Sequence, residues 1–176
     1  MFDFDALDPR DVDLGPAADI LAYWERVRGD RFAPAWQRDF NLFDLPSTLI
    51  PCMTVIDRIE GGGNFRYRFW GTCHVAMKGF EMSGKNFDEL PNRAIQAMGT
   101  RQLEIVIQRR RPTVFVYKLD YPGRQRLTEF NIRLPLSDDG ETIDRFVSYQ
   151  DLNSVGADWE DAMENLMNQP RWDGVG

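Results

Sequence analysis

One histidine stands in the chain, His74, within Gly71-Thr72-Cys73-His74. Any Ser-His-Asp triad would have to be built on it, and no Gly-x-Ser-x-Gly elbow accompanies it. Cys73 precedes His74 directly, and neighbours on a helix point about 100° apart, so adjacency alone makes no nucleophile–base pair. Cys52 and Cys73 with a single histidine lack the spacing of a structural zinc site. Cys73 has the better case for reactivity, because a helix N-terminus lowers a thiol pKa; the plainer reading of both cysteines is inert packing. Asp138-Asp139 falls in a turn and Glu160-Asp161 in a first helical turn, where acids complement the helix dipole. Neither flanks a cleft as a glycosidase pair must. Gly61-Gly62-Gly63 lies between two strands rather than between a strand and a helix, so it is no phosphate cradle. No catalytic residue and no metal site are expected. His74 is left with three uses: a partly buried helix residue holding one hydrogen bond, a contact to a ligand, or ligation of haem or a metal.

The elements that would position these residues follow from periodicity. The first dozen residues read as an irregular lead-in. Pro16 suits a first helical position, Ile20, Leu21, Trp24 and Val27 fall at helical spacing, and Gly29 ends that helix. Residues 30–51 are punctuated by Pro34, Pro46 and Pro51, and short helical turns are expected near 34–38 and 45–49. Cys52–Glu60 is a β-branched strand ending in the Gly61–Asn64 hairpin signal. In Phe65–Trp70, alternation puts Phe65, Tyr67 and Phe69 on one face and Arg66, Arg68 and Trp70 on the other. Short helical pieces follow at Thr72–Lys78 and Phe87–Leu90, then a long helix over 92–110 that Arg111-Pro112 stops. The run Arg109-Arg110-Arg111 reads as its solvated C-terminus. Strands are expected at Thr113–Asp120, Arg124–Leu134 and Ile143–Gln150, joined by Tyr121-Pro-Gly123 and Ser137-Asp-Asp-Gly140. Trp159, Ala162, Met163, Leu166 and Met167 form the apolar stripe of a last helix over 157–168, before Pro170. Adjacent strands with tight turns mean antiparallel pairing. The class is α+β: one five-stranded antiparallel sheet with helices covering one face, plus N- and C-terminal helices. The divisions are a lead-in at 1–16, a domain at 17–152 and a C-terminal helix and tail at 153–176.

The whole chain, 176 residues with 43% hydrophobic and 28% charged side chains, is one domain's worth of globular sequence. It should bury about 70% of its unfolded surface, enough for a core without staples. Two cysteines make no disulfide framework, no apolar run spans a membrane, and the acidic start MFDFDALDPRDVD is no signal peptide. A cytoplasmic protein with no membrane association is expected. Residues 1–60 carry 6 basic and 12 acidic side chains, residues 61–151 carry 14 and 11, and residues 152–176 carry 1 and 5. The net charge of −7 argues against a nucleic-acid partner, which would need a concentrated basic surface.

The order of elements resembles the PAS fold, and particular residues sharpen the resemblance to a family of stand-alone bacterial PAS-like proteins. Tyr23-Trp24 and the closing Arg28-Gly29 stand in the leading helix, followed by Asp44-Leu45-Pro46. Then come Phe65-Arg66-Tyr67-Arg68-Phe69-Trp70-Gly71-Thr72, the turn Gly79-Phe80-Glu81-Met82-Ser83-Gly84, Leu90-Pro91, and Leu134-Pro135-Leu136-Ser137-Asp138-Asp139-Gly140. The likeness covers about residues 17–152. Trp70 replaces a small apolar residue of that pattern, and Phe80-Glu81-Met82-Ser83 a more usual Arg-acid-Leu-Thr. The resemblance implies a sensory or ligand-binding module without enzymatic activity, acting through association with a signalling partner. A homodimer is expected, built on the Ile20, Trp24 and Val27 stripe and the sheet's outer face. Two alternatives remain: a small cone-shaped α+β enzyme of the isomerase or dehydratase type, for which one histidine is a poor endowment, and a ligand-free adaptor.

In this architecture a ligand would lie between the concave face of the sheet and the helices joining the second and third strands. Tyr67, His74, Met77, Phe80, Met98, Tyr117 and Phe130 are the candidate lining. Tyr67 and Tyr117 would supply hydroxyls, and Met and Phe adaptable apolar walls. The ligand would be small, apolar or aromatic, with one polar group. No cofactor is expected: haem would need His74 to point inward with room for a macrocycle, beside a bulky Trp70.

Overall fold

The computed structural model describes residues 4–59, 64–119 and 127–151. The expected tail helix over 157–168, the Gly61–Gly63 turn and the Tyr121–Gly123 turn lie outside them. Six strands form one antiparallel sheet: β1 (Phe4–Leu7), β2 (Met53–Arg58), β3 (Phe65–Trp70), β4 (Thr113–Leu119), β5 (Leu127–Leu136) and β6 (Arg145–Gln150). Their order across the sheet is β1-β4-β5-β6-β2-β3. Five of these are the expected strands. The sixth corrects the reading of the N-terminus as an irregular lead-in, because Phe4–Leu7 pairs with Val114–Tyr117 of β4.

Three α-helices clothe the sheet. Helix α1 (Ala17–Arg28) starts after Pro16 and stops at Gly29, whose φ of +58° suits glycine. Helix α2 (Thr72–Lys78) follows β3 at once. Helix α3 (Arg93–Arg109) is capped by Asn92, whose side-chain oxygen accepts from the amides of Ala94 and Ile95. Between α1 and β2 the helical turns fall at Leu42–Asp44 and Ile50–Cys52 rather than near 34–38 and 45–49. Asp39 shapes the earlier stretch instead, accepting from Arg31 Nη1 at 2.6 Å and from the Ala35 amide at 2.8 Å.

Both faces of the sheet are covered. On one, Ile20 and Trp24 of α1 pack with Val114, Ile132, Leu134, Val147, Met53 and Val55. Trp24 is 3% exposed and donates from Nε1 to the Pro135 carbonyl at 2.8 Å. The apolar stripe expected to be exposed for a dimer is therefore core: Ile20 and Trp24 are buried within their own chain, and Val27 is partly so. On the other face, Leu103 and Val106 of α3 pack with Phe115, Phe146, Ile56, Phe65, Tyr67 and Trp70.

Trp70 lies on the Tyr67 side of the sheet, not on the side of the arginines. Val55 pairs with Phe69 but Ile56 pairs with Tyr67, so Arg68 is an extra residue in β3. This bulge resets the alternation and turns Trp70 inward. The arginine run at the end of α3 is exposed but engaged: Arg109 donates to the Ala6 carbonyl, Arg110 to the Glu141 carbonyl, and Arg111 pairs with Asp8 at 3.5 Å. Asp138 and Asp139 are turn residues as expected. Asp138 accepts from the Trp36 amide, and Asp139 from the Glu141 and Thr142 amides.

Candidate functional site

Strand register places a row of polar residues across the α3 side of the sheet. Thr113 of β4 is opposite Arg133 of β5, Arg133 opposite Ser148 of β6, Ser148 opposite Thr54 of β2, and Thr54 opposite Trp70 of β3. All five are buried. The next row on this face, Pro135, Phe146, Ile56 and Tyr67, is apolar. Gln102 of α3, fully buried, reaches down onto the polar row.

Arg133 is the centre of this cluster and is 8% exposed. Its Nε and Nη2 both donate to Gln102 Oε1, at 3.0 and 2.8 Å. Its Nη1 donates to Ser148 Oγ at 3.0 Å. Asn131 Nδ2 lies 3.5 Å from the same Gln102 oxygen. A guanidinium stays protonated in any protein environment. Here it is held by neutral oxygens alone: among the described residues, no carboxylate lies within 4.0 Å of it. The contrast is with Arg145, which meets Asp57 at 2.7 Å, Asp138 at 3.4 Å and Asp144 at 3.8 Å.

The predicted site residues divide. Tyr67, His74 and Phe80 all come together, but around Trp70. Its indole meets Tyr67 edge-on at 4.7 Å, the His74 ring at 4.9 Å and the Phe80 ring at 5.9 Å, and donates to the Phe80 carbonyl at 3.2 Å. Tyr67 also stacks on Phe87 at 4.6 Å. Met98 packs against the same cluster. Met77 and Phe130 pack instead with the core on the α1 side. Tyr117 stands opposite Phe4 and Glu129 in the sheet, and its side chain is not among those described.

His74 is buried and pins α2 in place. Nε2 donates to the Cys52 carbonyl at 3.2 Å, and Nδ1 lies 3.4 Å from Lys78 Nζ, so Nδ1 is the acceptor. Burial first, then the charges of Lys78 and Arg133, hold its pKa well below the usual histidine value, despite the bond to Cys52. The imidazole is neutral at pH 7. The neighbouring Gly71 explains the Gly-Thr step: a Cβ there would sit 2.1 Å from the Pro51 carbonyl oxygen. A larger residue would force the start of α2 away from Pro51–Met53 and break the seat of His74.

Arg133, Gln102, Ser148 and Thr54 were not among the residues singled out from sequence. The available signal was parity in Phe130-Asn131-Ile132-Arg133-Leu134. A strand with neighbours on both sides, beneath a helical layer, has two faces to bury, so its polar face is as enclosed as its apolar one. A separate surface groove of about 280 Å³ runs beside α1, lined by Arg10, Arg28, Arg110, Arg111, Trp24 and Phe32 among others. None of the seven predicted residues lines it, and its arginines are already engaged by Asp8 and by backbone carbonyls.

No helix among the described residues is long and apolar enough to cross a membrane. No curated protein and no solved structure matches the chain. Residues 12–149 match the family model of the PAS domain, well over half of the chain, and with a six-stranded antiparallel sheet under a helical cover the protein belongs to the PAS domain family.

Proposed function

We propose that this PAS domain is a sensory module without enzymatic activity, which takes a small molecule between the sheet and α3 and signals by associating with another protein. The supporting observation is the buried polar row with Arg133 at its centre. Replacing both partners of a buried hydrogen bond by apolar groups of the same shape can be nearly neutral or stabilising. A row of this kind is therefore a poor way to hold a sheet to a helix and a good way to recognise a polar ligand group inside apolar walls. The enzyme alternative wants a carboxylate beside His74; instead both ring nitrogens are engaged, by Cys52 and Lys78.

The test is a thermal-shift screen of small aromatic and acyl compounds on the full-length chain. Binding at one hundred times the dissociation constant should add about 2.7 kcal/mol. The hits should vanish in Arg133→Met/Gln102→Leu, which removes the polar centre as a unit. Hits that survive with unchanged affinity place the site elsewhere, and a screen without hits favours the ligand-free adaptor.

A further inference from the structure

Resting on that reading, we infer that Arg133 anchors the carboxylate of a small aromatic or acyl acid, and that Gln102 occupies the same fork as an internal stand-in which the ligand displaces. The argument begins with geometry. Nε and Nη2 form the side-on fork of a guanidinium, the edge that receives a carboxylate in two parallel bonds. In this structure one neutral oxygen, Gln102 Oε1, takes both donors. Three of the five guanidinium N–H groups are thereby used, one of them on Ser148.

Charge supplies the preference. Arg133 is more than nine-tenths buried, where an ion without a counter-ion is costly. Hydrogen bonds between two ionised groups are roughly twice as strong as neutral ones. An incoming carboxylate would supply the missing negative charge and a second oxygen, both of which an amide lacks. The walls fix the rest of the ligand. Phe146, Ile56 and Tyr67 occupy the apolar row beside Arg133, and Phe115 lies opposite Asn131 on its other side. A flat ring or short acyl chain suits such walls, and an extended polar molecule does not.

Displacement has a consequence, because Gln102 belongs to the cover and Arg133 to the sheet. The bonds that Gln102 yields tie α3 to β5. A ligand in the fork replaces them with bonds of its own to Arg133, so these ties between α3 and β5 are lost while the apolar contacts of Leu103 and Val106 remain. Ligand binding thus alters how α3 sits on the sheet, a change that a partner protein can read.

Four full-length variants test this, three single and one double, using butanoate, hexanoate, benzoate and phenylacetate with the corresponding amides as probes. The acids should raise the melting temperature of the wild type and the amides should not. Gln102→Ala removes the competitor and should tighten binding of the acids about tenfold, the scale of a charged hydrogen bond. Arg133→Lys keeps the charge but loses the fork, and should weaken it at least about tenfold. Gln102→Glu places a carboxylate permanently in the fork; it should raise the melting temperature with no ligand present and abolish binding of the acids. Amides binding as well as acids, with both lost in Arg133→Met/Gln102→Leu, would leave the sensory reading intact and end the assignment of an anion. A lowered melting temperature in Gln102→Glu also ends it, whatever the probes do. If none of the acids binds the wild type, the displacement idea is wrong.

Discussion

The two faces of the sheet use the same strands for opposite ends. Along β5, Ile132 and Leu134 point to the α1 side while Asn131 and Arg133 point to the α3 side. Register extends the contrast across the sheet. On the α1 side, Leu134, Val147, Val55 and Phe69 lie in one row, and Val114, Ile132, Tyr149 and Met53 in the next. On the α3 side the row between them is Thr113, Arg133, Ser148 and Thr54. One face is packed as a core is packed. The other is a core too, but one that carries a charge beneath its helix. The lesson is that burial alone does not separate structural from functional faces in a two-sided sheet. What separates them is whether the buried groups would be better replaced by hydrocarbon.

The largest expected effect lies on the apolar face. Trp24→Ala removes an indole that is 3% exposed and its bond to Pro135, and should cost about 3–5 kcal/mol. Trp24→Phe keeps much of the volume but leaves the Pro135 carbonyl without its donor, a loss of about 1–3 kcal/mol. Urea denaturation of the two variants measures both. Near-native stability in Trp24→Ala would mean that α1 is not part of this core and would restore the stripe as a surface for a second copy.

The elements behind this contrast are legible in the sequence, but the polar row itself is not. Strands β2 to β6 and helices α1 and α3 follow from periodicity and turn chemistry, because each is long enough to repeat its pattern. Strand β1 is not legible: four residues, Phe4-Asp5-Ala6-Leu7, owe their extended form to partners more than a hundred positions away in β4. The placement of Trp70 failed for a different reason, since a bulge shifts parity without any local signal in Tyr67-Arg68-Phe69. Alternation in β5 sets Phe130, Ile132 and Leu134 on one face, and all three pack on the α1 side. It could not say which side the helix α3 would take, and so Phe130 was assigned to the wrong layer and Arg133 passed over.

The next effect is on the polar face and is a matter of sign. Gln102→Leu leaves the Arg133 guanidinium buried with its main acceptor gone, and should destabilise by about 1–3 kcal/mol or somewhat more, the cost of leaving a buried charged donor without its acceptor. Adding Arg133→Met to that variant removes the stranded charge and should restore stability to about the wild-type level or above it. A double-mutant cycle by urea denaturation reads the coupling directly. Simple additivity, with the double variant less stable than either single one, would show that the row supports the fold as the α1 face does.

The smallest effect is at His74, which stands where α2 meets the backbone of Cys52. Its folded pKa is lowered, chiefly by burial and then by the charges of Lys78 and Arg133. The sign follows from proton counting. Above the unfolded value of 6.5 neither state carries the proton, and the group contributes no pH dependence. Below it the unfolded chain binds a proton that the folded chain refuses, so stability falls as the pH drops. The slope approaches at most about 1.4 kcal/mol per pH unit between pH 6.5 and the depressed folded value. Carboxylates of ordinary pKa enter only toward pH 5 and below, and Asp144, whose pKa burial raises, acts with the opposite sign in wild type and variant alike, so the difference between the two profiles isolates His74. Chemical denaturation from pH 7.5 to pH 5.5 should show the slope in the wild type and a flatter profile in His74→Gln, whose side-chain amide is neutral throughout. An unchanged profile in that variant would mean that His74 takes up its proton in the fold, with α2 giving way to admit it. The site beside Trp70 would then be the pliant part of the molecule, and the Arg133 row the rigid one.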